Sequence, residues 1–154
     1  MRGIASVRVV VEQAGIPNPQ AQVAIVVDTA HVAGSGDSSI TAGIYLIDNQ
    51  LNAGSTGEGT MALHTRCPTG SLIGFSSYPI DMALGDTVAI TGFSITQGSV
   101  FSSTGYPIQQ TPSYWIGQAM YSGSSTFEIQ LCITAGVLHP TRFYVSTECQ
   151  LTAQ

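Results

Sequence analysis

The feature that most restricts what this chain can fold into is a spacing of two. In FEIQLCIT, Phe127, Ile129, Leu131 and Ile133 fall on one side, and Glu128, Gln130, Cys132 and Thr134 on the other. RFYVSTECQL does the same with Phe143, Val145, Thr147, Cys149 and Leu151. TVAITGFSI sets Val88 and Ile90 against Thr87, Ala89 and Thr91, and TMALHTR sets Met61 and Leu63 against Thr60, Ala62 and His64. Successive side chains of an extended chain point to opposite faces, so each stretch reads as a strand with one face on a core and one in water. Nowhere does an i, i+3, i+4, i+7 apolar pattern persist over three turns. Long helices are therefore not expected, and YPIDMALGD (78–86) has room for one helical turn at most.

Two runs, VRVVV near the start and VAIVV before Asp28, are more continuously apolar and suit central strands covered on both faces. With AGIYLI (42–47), SLIGF (71–75) and YWIGQAM (114–120), the count reaches about nine strands, separated by Gly, Pro, Asn and Ser turns. This predicts an all-β fold, an antiparallel β-sandwich with little or no helix, and a closed barrel as the less favoured alternative. The 154 residues suit one domain, 1–154, large enough to bury roughly two thirds of its unfolded surface. Four longer connections stand out, at 13–22, 28–40, 48–58 and 95–113. Loops of that length in a compact domain are usually functional or ordered by a partner.

Charge narrows the partners. The chain has no lysine, its four basic residues are Arg2, Arg8, Arg66 and Arg142, and nine carboxylates leave a net charge of -5. Clustered cations drive binding to phosphates, so nucleic acid and anionic membrane surfaces are disfavoured. A surface that is polar but sparsely charged lacks the repulsion that keeps folded domains apart, and a homo-oligomer is expected. The apolar stretch at the N-terminus is short and interrupted by Arg8 and Glu12, unlike a signal peptide. No run approaches the roughly 18 apolar residues of a spanning helix, so no membrane insertion and a cytoplasmic location are expected. Cys67, Cys132 and Cys149 are odd in number with no CxxC pair, which favours reduced thiols over a disulfide.

The stretch DTAHVAGSGDSS (28–39) concentrates Asp, His, Gly and Ser, and invites three chemistries. A nucleophilic serine needs a histidine base and a third group to orient it. His31 shares the loop, His64 alternates outward on a strand and His139 precedes Pro140, and no G-x-S-x-G elbow is present, so a loop Ser/His/Asp hydrolase is a remote alternative. Phosphate loops open a helix and usually carry a Lys or Arg, whereas here two Asp flank the glycines and no helix is expected. Calcium suits the loop oxygens of Asp28, Asp37, Asp48, Asn49, Glu58, Asp81 and Asp86, with Asp28, Asp37 and Asp48 as the first choice of ligands. No D-x-D-x-D-G spacing supports it, and no Cys/His spacing suits zinc. Sugar sites on β-sandwiches combine loop carboxamides and carboxylates with an aromatic face. Asp28, Asp37, Asp48, Asn49, Tyr106 and Trp115 are the candidates, although Trp115 also suits a core position with its N–H satisfied.

Several stretches, in order, carry a resemblance. VAIVVDTAHV, GIYLIDNQLNAGSTGEGTMALHTRCPTGSLIGF, GDTVAITGFSI and the closing YWIGQAM, FEIQLCIT and RFYVSTECQLTAQ resemble successive strands of the AidA/PixA family of bacterial proteins, over roughly residues 20 to 154. The resemblance implies a non-catalytic β-sandwich among quorum-sensing-dependent and inclusion-forming cytoplasmic proteins, for which carbohydrate binding has been suggested. It carries over no catalytic residue. The positions it aligns are Asp28 and Thr29, Asp48 and Asn49, and Gly85, Asp86 and Thr87, all of which suit side-chain-to-backbone turns at strand ends. The expected function is a self-associating, non-enzymatic protein that binds glycans, or a purely structural, inclusion-forming one.

Overall fold

A computed structural model describes residues 19–35, 40, 42–136 and 138–154. In chain order the elements are β1 (Ala21–Val27), α1 (Thr29–Ser35), β2 (Ile44–Asp48), β3 (His64–Cys67), β4 (Leu72–Pro79), β5 (Thr87–Gln97), β6 (Ile108–Thr111), β7 (Tyr114–Gln118), β8 (Gly123–Ala135) and β9 (Thr141–Ala153). They form a five-stranded sheet in the order β2-β1-β4-β7-β6 and a four-stranded sheet in the order β3-β9-β8-β5. Nine strands in two layers match the expected all-β sandwich.

The strand directions are mixed rather than wholly antiparallel. β1 runs parallel to β4, and β3 parallel to β9. Between β1 and β4 the chain leaves for the other sheet, where it forms β3, and such a crossover delivers the returning strand in the same direction. The run VRVVV lies outside the described residues. β6 was not expected, because Ile108, Gln109, Gln110 and Thr111 are all exposed and show no alternation.

Two further expectations are corrected. The 28–40 connection holds a seven-residue helix, α1, where no helix is expected from the sequence. Asp28 explains it: its Oδ1 accepts the His31 N–H at 3.2 Å and its C=O accepts the Val32 N–H at 3.0 Å, an N-cap, while Val32 is buried. Among the described residues β1 is covered on one face only. Ala21, Val23, Ile25 and Val27 enter the core, and Gln22, Ala24 and Val26 point outward. Registers place Ile47, Ala24, Ser76 and Tyr114 in one outward row, and Tyr45, Val26 and Tyr78 in the next.

The inner faces meet over an aromatic centre. Phe127 lies edge-on to Phe75 at 5.9 Å and to Phe101 at 5.4 Å, and Phe75 meets Phe93 at 4.8 Å. Such tilted pairs add to simple burial. Phe101 and Val100 come from the 95–113 connection, which dips into the core rather than remaining a surface loop.

The sheet edges are closed by unlike means. On one side, residues 55–60 seal β2 and β3 together. The Leu46 N–H donates to Thr60 O and the Gly59 N–H to Leu46 O, while Thr56 and His64 exchange two backbone bonds and the Arg66 N–H donates to Ser55 Oγ. On the other side, β5 has no strand neighbour beyond β8 among the described residues, and residues of the first sheet and its connections satisfy its outward groups. Ser77 Oγ donates to Val88 O at 2.8 Å, Trp115 Nε1 to Ile90 O at 3.1 Å, and the Tyr106 hydroxyl to Phe93 O. The Ile90 N–H donates to Pro112 O at 2.8 Å. β6 is the one edge left open among the described residues, and it is four residues long with Pro107 and Pro112 flanking it. Short edges flanked by proline resist pairing with another chain.

Candidate functional site

The residues singled out from sequence are distributed over the molecule rather than gathered. Asp28 sits one residue beyond Val27, whereas Asp48 faces Val23. Five residues of extended chain separate them, about 16 Å. Asp37 lies outside the described residues. The three Asp expected to share a calcium ion are thus not brought together. Among the described residues no three His, Cys, Asp or Glu side chains converge as metal ligands.

At the α1 end, two of the aligned stretches meet. Thr29 Oγ1 donates to Asp86 Oδ2 at 2.6 Å, and the Gly136 N–H donates to Asp86 Oδ1 at 3.2 Å. Asp86 thereby ties the start of α1 and the end of β8 to the start of β5. The carboxylates of Asp28 and Asp86 both face the first turn of α1, where exposed N–H groups favour negative charge. The sequence named Asp28-Thr29 and Gly85-Asp86-Thr87 separately. Nothing in their spacing links residues 57 positions apart.

At the opposite end of β2, the Asp48 N–H donates to Glu58 Oε1 at 2.8 Å, and Asp48 Oδ1 accepts the Gln50 N–H at 2.9 Å. Asp48 Oδ2 and Glu58 Oε2 are shut away from water without a partner. Burial pushes the Glu58 carboxyl above the usual range, and the side chain and negative charge of Asp48 push it further, against the Asp48 N–H, which favours the ionised form. Asn49 Oδ1 accepts the Gln22 N–H at 2.9 Å and a Gln50 Nε2 bond of the same length, so its oxygen is already engaged. These groups finish the β2 edge in place of a strand.

Trp115, a candidate ring platform for sugar, packs into the core instead: its ring lies 5.5 Å from Phe93 and its N–H is given to Ile90 O. Tyr106 likewise spends its hydroxyl on Phe93 O, and its ring borders a shallow depression of about 190 Å³ with Ile108 and Ile116. Sequence reasoning missed a larger cleft of about 680 Å³ beside Asp86. It opens between the end of β4 and the start of β5, against the β6–β7 turn. Tyr78, Pro79, Met82, Val88 and Pro112 supply most of its apolar wall, and Thr111, Ser113 and Asp86 its polar groups. No single stretch of sequence announces it, because the β4–β5 connection and the β6–β7 turn build it together.

Among the described residues no histidine ring has a carboxylate hydrogen-bonded to it, and Asp37, Ser38 and Ser39 lie outside them. The His31 ring lies over Gly43, where a Cβ would come within 2.9 Å of it. His64 Nε2 is 2.6 Å from Thr152 Oγ1, which in turn is 2.7 Å from Ser124 Oγ. This chain of polar groups lies along the outer face of the second sheet, and no carboxylate bonds to the ring to orient it. Burial, then the positive charge of Arg66, lowers the His64 pKa. No helix among the described residues is long and apolar enough to cross a membrane.

A family profile described as a domain of unknown function (DUF8788) matches residues 19–137, from β1 to just past the end of β8. The chain belongs to this family. Its matched region contains the α1 cap, the Thr29–Asp86 link, the sealed β2 edge and the cleft. No curated protein matches the chain. Among solved structures, an inclusion body protein (PixA) from Burkholderia cenocepacia has the same fold, with a TM-score of 0.72. The identity is 16%, over 93% of this chain and the whole of that one. The fold of this member of DUF8788 is therefore PixA-like, as the resemblance read from sequence implied.

Proposed function

We propose that this chain is a non-enzymatic protein whose function is to self-associate into dense bodies of folded molecules. The observation that carries the reading is the outer face of the five-stranded sheet, which bears no charged side chain from β2 to β6. A solvated sheet face is normally polar, and an apolar patch such as Tyr45, Ile47, Ala24, Val26 and Tyr78 on its β2–β1–β4 part marks an interaction site. The inclusion body protein of like fold supports the same direction. Three unpaired thiols, Cys67, Cys132 and Cys149, suit the reducing cytoplasm. Sedimentation velocity over a thousandfold range of protein concentration tests the proposal. Larger species that grow with concentration are expected, and a single monomer throughout refutes it.

A second reading, sugar binding, is favoured by the cleft alone. The exposed Tyr78 ring offers a face for the apolar side of a pyranose, and Asp86, Thr111 and Ser113 offer hydroxyl partners. On a glycan array, Tyr78→Ala would abolish a signal arising there. A blank array for the parent chain refutes this reading and leaves the first untouched.

A further inference from the structure

We infer that the self-association begins with an isologous pair, two copies meeting back to back through the outer face of the five-stranded sheet. This rests on the self-association reading and names its surface. Tyr45, Ile47 and Tyr78 are 38%, 42% and 45% exposed on that face, with Ala24 and Val26 between them. VAIVV has the continuous apolar character of a strand covered on both sides, and the described residues cover only one of them. The face is also flattened: a Cβ at Gly74 would meet the Tyr114 hydroxyl at 2.8 Å, so the Tyr114 ring lies over the glycine and fills the dip.

The occupant is a second copy because of where the charge lies. Each chain carries -5, so two copies repel unless they meet where neither has charge. The outer face of the four-stranded sheet cannot serve. Glu128 and Glu148 stand directly opposite each other there, with Arg142 and Arg66 on the same side. The edges cannot serve either, since three are sealed and the fourth is short and flanked by prolines. Five strands at about 4.8 Å, some 20 Å long, give roughly 500 Å² in projection. That is at the small end for a specific interface, so the pair is expected to dissociate on dilution to micromolar concentrations.

The test uses the full chain. Ile47→Lys places two ammonium groups in a symmetric interface, and its effect on pair formation is read by sedimentation equilibrium. At least a tenfold rise in the dissociation constant is expected, with the monomer melting as before. Gln109→Lys on β6, paired with Trp115 and so on the other side of the sheet, serves as the edge control and should leave the constant unchanged. In a Cys132→Ser background, Ala24→Cys should cross-link between copies with a short bismaleimide, and Gln109→Cys should not. Association that survives Ile47→Lys, or cross-links only through Gln109→Cys, overturns the face while leaving self-association standing. A chain that stays monomeric at every concentration overturns both. A monomer whose Ala24→Cys thiol is shielded from maleimide means that the same chain covers the face, and this also overturns the pair.

Discussion

The side-chain closure of β5 can be tested two bonds at a time, because both donors can be removed without changing shape. Ser77→Ala deletes the hydroxyl given to Val88 O at 2.8 Å, at a residue only 4% exposed. The carbonyl left behind is cut off from water, so the full cost of an unmet buried acceptor applies, about 1–3 kcal/mol. Tyr106→Phe deletes the hydroxyl given to Phe93 O at a ring that is partly exposed, where water can enter, and should cost about 0.5–1.5 kcal/mol. Val88 and Phe93 are five residues apart on β5, about 16 Å, so the two losses should add. The double variant is expected to lose about 2–4 kcal/mol, which for a chain of this size lowers the melting temperature by roughly 4–16 °C. Urea unfolding of the parent, both single variants and the double variant measures all four corners. Faster amide exchange along β5 should accompany the loss. A neutral Ser77→Ala would refute the reasoning, since it would mean that Val88 O never depended on the first sheet.

Other outcomes follow from single features. Glu58 holds its proton to higher pH when folded than the ordinary value of 4.5, so on raising the pH the unfolded chain ionises first. Stability must then fall as pH rises through and above 4.5, and Glu58→Gln should flatten that fall in thermal melts between about pH 4 and pH 7. An unchanged slope would remove Glu58 as its source. Gly57 has φ +81°, and a Cβ there would lie 2.3 Å from Ala62 O, so Gly57→Ala should destabilise by more than about 1 kcal/mol in urea unfolding. A neutral result would mean that the 55–60 segment has slack. Cys67 and Cys149 are buried, and burial pushes the Cys149 thiol up to about 12. A thiol-disulfide reagent should therefore titrate one fast equivalent, Cys132, in the native protein and all three after unfolding. Two or more fast equivalents would contradict the packing of β3 against β9.

Much of the architecture was legible because one physical rule dominates it. β8 and most of β9 bury every second side chain, and β5 does so up to the bulge after Ile90; that period is written directly in their residues. β6 was illegible for the converse reason: with no side chain buried, it is held by backbone pairing to β7, which any sequence can supply. α1 was hidden because its seven residues are too few to show a helical period, and its cap and its Thr29–Asp86 link come from context. The candidate residues fared similarly. The sequence recognised that Asp48, Asn49, Tyr106 and Trp115 were unusual for their positions. It could not reveal that their polar atoms are used on neighbouring backbone, since those partners are brought together by the fold alone.

The closure of the edges has a consequence for what a deposit of this protein would be. Where sheets can extend from molecule to molecule, each added chain is held by a ladder of backbone bonds, and removing it means breaking them all at once. With three of the four described edges closed inside each molecule and the fourth only four residues long, neighbours meet chiefly through side chains. Such a solid keeps no memory of how it formed, and every molecule that leaves it leaves already folded.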